Sequence, residues 1–320
     1  MTTELDFSAR APARPEHPNH WIFLDGRFVR YHDARIGPMT HALHYGTACF
    51  EGIRAYWNAR AERLLLLQGP AHFERLRTSG RILRMDLAYT TAELMEITAE
   101  VLRRNEFRCD AYVRPLLFKS AEIIGVTLDG LPDSLLIWAG PMGDYVETGG
   151  IRCMVSSWRR IPEAAMPARA KSSANYLNSA LAKSEALENG YHEAIVLNQD
   201  GHVSEGSAEN IFIVRNGTFH TPPVTDDILE GVTRGLVIGL IEKELGMRVV
   251  ERSVDRTELY AADEVLFCGT GAQVSPVVEI DRRPIGDGKV GELAQELQQL
   301  YMAAVRGENP AYADWSVSVY

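Results

Sequence analysis

Cysteine is scarce: the 320 residues include 4, at Cys49, Cys109, Cys153 and Cys268, with no Cys-x-x-Cys pair among them. That scatter argues against a disulfide framework and a cysteine zinc site, so the thiols are expected to be buried and reduced. Long apolar runs are missing as well. The densest short one, Leu64 to Leu67, falls far below the roughly 18 to 20 residues that span a bilayer. Basic charge is in deficit, 33 Lys and Arg against 43 Asp and Glu, for a formal net charge of -10. A polyanion needs a basic surface to neutralise its phosphates, so nucleic acid is not an expected partner. The N-terminus has no apolar stretch of the secretory kind, since Glu4 and Asp6 come early and Pro12, Pro15 and Pro18 follow. Residues 1–19 read as a flexible leader on a reduced, cytoplasmic protein.

The chain does have enough apolar material, 46% of its residues, to bury a large core in one or two domains. Trp21 to Arg30 predicts a hairpin around Asp25-Gly26, because alternating apolar residues flank a dipeptide that tolerates positive φ. Strands are expected over Glu51–Trp57, Arg63–Leu67, Tyr112–Phe118 and Leu135–Ala139, and helices over Pro70–Met85 and Thr91–Asn105. The glycine-rich stretch 140–150 separates these from a second set. There Ile151–Trp158, Ala194–Leu197, Ile211–Val214 and Val265–Cys268 read as strands, and Tyr176–Asn189, Val232–Leu245 and Val290–Arg306 as helices. The expectation is a mixed α/β chain: a smaller domain at 20–139, a linker at 140–150 and a larger domain at 151–320. Asn216-Gly217-Thr218 matches a glycosylation sequon, but its place between two strand-like runs favours a type I′ turn.

Chemistry is suggested by clusters, none decisive alone. Lys171 lies among small residues in Ala168-Arg169-Ala170-Lys171-Ser172-Ser173-Ala174-Asn175-Tyr176, where a planar ligand can approach closely. Desolvation favours the neutral, nucleophilic form of an amine, although most lysines are solvated surface groups. Lys171-Ser172 ends like a phosphate-binding P-loop, yet Ala165 and Ala170 occupy the glycine positions. Ser204-Glu205-Gly206-Ser207-Ala208-Glu209-Asn210 reads as a bend carrying two carboxylates, one of them facing inward and needing a partner such as a protonated pyridine nitrogen. Gly231-Val232-Thr233 and Gly269-Thr270-Gly271-Ala272 place glycine and threonine at element ends that suit a phosphate. Gly269-Thr270-Gly271 also begins like a dinucleotide fingerprint, but Val274 replaces the third glycine and no helix follows. In Tyr112-Val113-Arg114-Pro115 the period of two puts Tyr112 and Arg114 on one face, as a carboxylate clamp requires. Arg54 and Arg75 are candidates for ordinary ion pairs. His41 and His44 lack partners at ligand spacing, so no metal is expected.

Together with His41-Ala42-Leu43-His44-Tyr45-Gly46 and Phe50-Glu51-Gly52-Ile53-Arg54, these clusters resemble, in order, the branched-chain aminotransferases of the fold type IV pyridoxal phosphate enzymes (class IV aminotransferases). The likeness runs from about Trp21 to about Arg306. It implies a two-domain α/β fold with a pseudo-barrel second domain, and a covalent Schiff base between Lys171 and pyridoxal 5'-phosphate. By the resemblance Tyr176 approaches the phenolic oxygen and Glu205 pairs with the pyridine nitrogen. Arg75, Gly231, Val232, Thr233 and Thr270 would hold the phosphate. Substrate would meet Tyr45, Phe50, Arg54, Tyr112, Met142 and the Gly271-Ala272 backbone, while Arg114 takes the distal carboxylate of glutamate. The implied reaction passes the amino group of L-leucine, L-isoleucine or L-valine to 2-oxoglutarate in a homodimer or larger assembly. Ser172-Ser173 stands where the family often has glycines and Met142 where it often has an aromatic residue. Rival readings within the fold are a D-amino acid or (R)-amine transaminase and an aminodeoxychorismate lyase-like enzyme, against which Tyr112 and Arg114 argue. A noncatalytic phosphate- or metabolite-binding protein is the rival of a different class.

Overall fold

The computed structural model describes residues 19–143 and 149–320. All but the last residue of the expected leader, and residues 144–148 of the expected linker, lie outside the described residues.

The chain opens with β1 (Trp21–Leu24) and β2 (Arg27–Arg30), joined at Asp25 and Gly26 with φ of 45° and 81°, the positive pair that an Asp-Gly type I′ turn requires. There follow α1 (His41–Tyr45), β3 (Ala48–Phe50), β4 (Ile53–Asn58), β5 (Arg63–Leu67), α2 (Gly69–Ile82), α3 (Thr91–Asn105), β6 (Ala111–Lys119) and β7 (Asp133–Pro141). Proline suits the first turn of α2, where its missing N–H would have no partner. A capping box between Thr90 and Glu93 starts α3. In β6, Ala111, Val113 and Pro115 are buried while Tyr112, Arg114 and Leu116 are half-buried on the opposite face, so the strand buries one side and presents the other.

The second set is β8 (Ile151–Arg159), α4 (Tyr176–Glu188), β9 (Glu193–Leu197), β10 (Val203–Gly206), β11 (Asn210–Arg215), β12 (Thr218–Thr221), α5 (Val232–Lys243), β13 (Val249–Glu251), α6 (Arg256–Tyr260), β14 (Glu264–Gly269), β15 (Gln273–Ile280), β16 (Arg283–Pro284) and α7 (Glu292–Val305). The last strand, β17 (Ser316–Ser318), returns to pair with β5.

Two sheets result, a mixed α/β architecture. The first has eight strands in the order β17-β5-β4-β6-β7-β1-β2, with β3 added to β6. The second has nine, in the order β10-β9-β8-β15-β14-β11-β12-β13, with β16 on β15. Parallel pairing of β8 with β9 demands a crossover, which α4 supplies by packing Ala182 and Ala186 on Ala194 and Val196. Tyr56 and Leu67 of the first sheet join Leu240, Leu297 and Tyr301 of α5 and α7 in a shared core. Fully burying a large apolar side chain contributes about 1.5–3 kcal/mol, so this cluster ties the two sheets into one body with a cleft between them. Among the described residues no helix is long and apolar enough to cross a membrane.

Two expectations change. Cys109 is exposed, in the connection from α3 to β6, whereas Cys49, Cys153 and Cys268 are buried; none of the four is paired. The segment read as a bend is in its first half a strand: Glu205 sits in β10, which pairs with β9, and the bend is confined to Ser207–Glu209.

Candidate active site

Lys171 is delivered to the cleft by the loop between β8 and α4, and that loop is pinned at the lysine to β3 of the first sheet and to α2. Phe50 N–H donates to the Lys171 carbonyl at 3.1 Å, Ser173 N–H to the Ala48 carbonyl at 2.8 Å, and Lys171 N–H to Ser79 Oγ at 3.1 Å. The half-buried amine points at the Tyr176 hydroxyl, 2.7 Å from Nζ, and lies 5.3 Å from the centre of the Phe50 ring. A cavity of about 410 Å³ opens around it.

One wall of the cavity is acidic. Both carboxylates of the 204–210 segment are buried, not one as expected. Glu205 Oε1 accepts from Arg160 Nη2 at 2.7 Å, and Oε2 accepts from Asn210 Nδ2 and the Leu229 N–H, each at 3.1 Å. Burial dominates and leaves the Glu205 carboxyl above the usual carboxylate range, although Arg160, the Leu229 N–H, Lys171 and Arg75 pull it down. Glu209 is raised by burial and then by the Glu193 carboxylate nearby. The opposite end is rich in donors. Helix α5 starts at Val232 with no side-chain cap, and Thr233, Thr270 and Arg75 line the same end. Arg75 is held by Glu51 through Nε and Nη2 at 2.7 and 2.8 Å, and its Nη1 donates to the Glu230 carbonyl at 2.8 Å. Burial would raise the Glu51 carboxyl, but Arg75, together with His72 at 2.8 Å, outweighs this and holds it below the usual range.

Tyr112 and Arg114 project together from β6 as the alternation predicts, Arg114 Nη2 donating to the Tyr112 hydroxyl at 2.6 Å. Gly52 lets the Tyr112 ring come close, since a Cβ there would overlap its hydroxyl. Of the expected residues, Phe50, Arg75, Tyr112, Arg114, Met142, Lys171, Tyr176, Glu205, Gly231, Val232, Thr233, Thr270, Gly271 and Ala272 all line the one cavity. Arg54 and Tyr45 stand apart from it. Arg54 is fully buried and spends Nη1 and Nη2 on the carbonyls of Met142 and Gly143 at 2.5 and 3.1 Å. Tyr45 is exposed and accepts the Gly125 N–H at 3.1 Å.

Arg160, Asn210 and Glu51 escaped the sequence reading. Arg160 and Glu51 meet partners from distant segments, whereas Asn210 bonds Glu205 within its own segment, and the usable signal for Arg160 was the buried carboxylate that needed a cation. Among the described residues no cluster of three or more His, Cys, Asp or Glu side chains is placed to hold a metal.

The donor set fits pyridoxal phosphate. An uncapped helix start with hydroxyls and a guanidinium suits a phosphate, an amine beside a phenol suits the aldehyde and its neighbouring oxygen, and an ionisable carboxylate suits a ring nitrogen. Asn175 Oδ1, 3% exposed as a residue and in the cavity wall, has no hydrogen-bond partner, as a wall built around a polar ligand allows.

The family described as amino-transferase class IV matches residues 48–280. A probable branched-chain-amino-acid aminotransferase of Aquifex aeolicus (strain VF5) is 49% identical over 302 residues, covering 94% of this chain and 97% of the relative. The branched-chain-amino-acid aminotransferase of Escherichia coli (strain K12) is 39% identical over 300 residues, 92% of this chain and 96% of that one. Among solved structures, the branched-chain aminotransferase of Thermoproteus uzoniensis with norvaline superposes with a TM-score of 0.91 at 43% identity, over 94% of this chain and 99% of that one. The branched-chain amino acid aminotransferase from Thermobaculum terrenum in its PLP-form (holo-form) gives 0.90 at 35% identity, over 94% and 99%.

Proposed function

The chain belongs to the class IV aminotransferases and is a pyridoxal phosphate-dependent branched-chain amino acid aminotransferase, and we propose that it moves the amino group of L-leucine, L-isoleucine or L-valine reversibly to 2-oxoglutarate, with Lys171 as its catalytic lysine. The observation that carries the assignment of Lys171 is the placing of its amine 2.7 Å from Tyr176 OH, in a cavity with Glu205 in one wall and the α5 start at the other end.

Pyridoxal phosphate, when bound, supplies a carbonyl carbon that takes up the amino group and a ring that accepts the electron pair left at the substrate α-carbon. Lys171 is the base that removes the α-proton and the acid that returns a proton on the way to the 2-oxo acid. Tyr176 orients the amine through its hydroxyl. Glu205 holds a proton at the ring nitrogen, which strengthens the pull on the α-carbon electrons. The α5 N-terminus, Thr233, Thr270 and Arg75 anchor the phosphate. The Gly271-Ala272 backbone and Tyr112 receive the α-carboxylate, and Phe50 and Met142 enclose an apolar side chain.

Tyr45 lies outside the cavity on an exposed surface, which supports a homodimer in which it faces the site of the partner subunit. Four free cysteines and no disulfide favour a reducing compartment, and we place the protein in the cytoplasm.

Purified protein supplied with pyridoxal phosphate should absorb in the visible, bleach on adding L-leucine, L-valine or L-isoleucine, and form glutamate from 2-oxoglutarate. Lys171→Ala should abolish turnover and the borohydride-reducible link to the cofactor. Exclusive turnover of D-alanine or an (R)-amine would reject the substrate assignment, and a reducible link in Lys171→Ala would reject the lysine.

A further inference from the structure

Glu205 and Arg160 form a built pair. Their side chains are 5% and 6% exposed, and Oε1 accepts from Nη2 at 2.7 Å. Arg160 has little freedom to leave: its Nε donates to the Asp227 carbonyl at 3.2 Å, its backbone N–H to the Leu197 carbonyl at 2.9 Å, and its own carbonyl accepts from Gln199 Nε2 at 2.9 Å. On the carboxylate, Asn210 Nδ2 and the Leu229 N–H occupy Oε2. A carboxylate offers about two lone-pair directions per oxygen, so the place left for a donor in the cavity is on Oε1, the oxygen Arg160 already holds.

A hydrogen bond between a carboxylate and a pyridine nitrogen contains one proton and two bases. Which base keeps the proton depends on the basicity of the carboxylate. A buried carboxylate alone is a strong base, because burial penalises its charge. The charged groups facing Glu205 are Arg160 from the loop after β8, Lys171 from the loop before α4, Arg75 from α2, and Glu209 from the turn before β11. Arg160 makes the direct contact and opposes burial most strongly.

We propose that Arg160 is a positioning residue that, by pairing with Oε1 of Glu205, makes the carboxylate a weaker base than burial alone would leave it, so that the shared proton stays on the pyridoxal phosphate ring nitrogen instead of passing to Glu205. The nitrogen then remains cationic and draws electrons from the α-carbon while Lys171 removes the proton. Without Arg160 the hydrogen bond persists, but with the proton on oxygen and a neutral ring. The inference rests on Glu205 being the partner of the ring nitrogen, as in the proposed function.

The test reads the nitrogen itself. The protein is loaded with pyridoxal phosphate labelled with 15N in the ring, and the nitrogen shift is recorded for the unaltered chain, Arg160→Gln, Arg160→Lys and Glu205→Gln. Arg160→Gln keeps a donor and removes the charge. It should move the shift toward that of an unprotonated pyridine and lower kcat about 10- to 100-fold, with KM for leucine changed little. Arg160→Lys should restore both. Arg160→Met, also uncharged, repeats the measurement if the glutamine variant does not fold. A nitrogen still protonated in the folded, charge-free variant, while Glu205→Gln deprotonates it, overturns the role of Arg160 alone. If Glu205→Gln also leaves the shift unmoved, Glu205 is not the partner of the nitrogen and the reading beneath the inference fails too.

Discussion

At the scale of one residue, the proposed function sets a conflict of polarity that Arg114 would answer: one pocket would have to accept an apolar side chain and then the distal carboxylate of 2-oxoglutarate. Its Nη2 donates to Tyr112 OH, and its guanidinium lies 4.4 Å from the centre of the Phe50 ring, so the charge is spread against aromatic faces but not spent on a carboxylate. An apolar substrate then meets mostly rings, while N–H groups remain for a distal carboxylate. Arg114→Gln should raise KM for 2-oxoglutarate about 10- to 100-fold, the loss expected for one charge-assisted contact, and leave the half-reaction with leucine within a few-fold. Stopped-flow measurement of the two half-reactions checks this, and equal losses in both would show that Arg114 does not discriminate. Arg54 marks the limit of such reading. Like Arg114 it lies on a strand of the first sheet, yet it turns into the protein and holds the Met142 and Gly143 carbonyls. Alternation tells which residues share a face. Which face meets the cavity is decided by how the sheets pack, and the local pattern does not contain that.

At the scale of elements, the approach to α5 is the tightest join in the site. Gly231 precedes the helix where a Cβ would overlap the Asn210 side-chain oxygen, and Asn210 Nδ2 in turn holds Glu205 and the Leu229 carbonyl. Gly231→Ala should therefore push Asn210 off Glu205 and shift the first turn of the helix together. The expected result is pyridoxal phosphate affinity lower by about tenfold or more, the cost of misplacing one to two buried hydrogen bonds, measured by titrating the cofactor into stripped protein. Unchanged affinity would mean that the join relaxes freely. Elements with local causes were legible in advance: the Asp25-Gly26 and Asn216-Gly217 turns, whose φ values are all positive, and α3, whose apolar spacing marks a helix over Thr91–Asn105. Short strands were not. β10 is four residues of Val-Ser-Glu-Gly, with a composition that suggests a bend, and it is a strand because β9 pairs with it. Likewise Lys171, Tyr176 and Glu205 were visible through the ordered motifs around them, whereas the Arg160 partner of Glu205 became apparent only when the chain was folded.

At the scale of the whole molecule, the surface around α1 is unusual for a monomer. His41 Nε2 and Tyr45 OH both engage the Gly125 backbone, tying α1 to the loop before β7, and Leu43, Ile124 and Val126 stand around that tie at 65%, 82% and 83% exposure. In the proposed homodimer this exposed apolar patch would be the surface that association covers, and two copies of one patch would meet about a two-fold axis. Tyr45 sits in the same patch, bonded to Gly125, so the proposed association would cover its ring. The protein should therefore sediment as a dimer or larger at micromolar concentration. Ile124→Glu with Val126→Glu, which places two carboxylates in a surface that association would dry, should shift it toward monomer and lower turnover at low protein concentration more than at high. The concentration dependence is the discriminating feature. A folding defect lowers activity equally at all dilutions, whereas a weakened interface restores it as protein is added. If the double variant stays dimeric and fully active when dilute, the interface lies elsewhere.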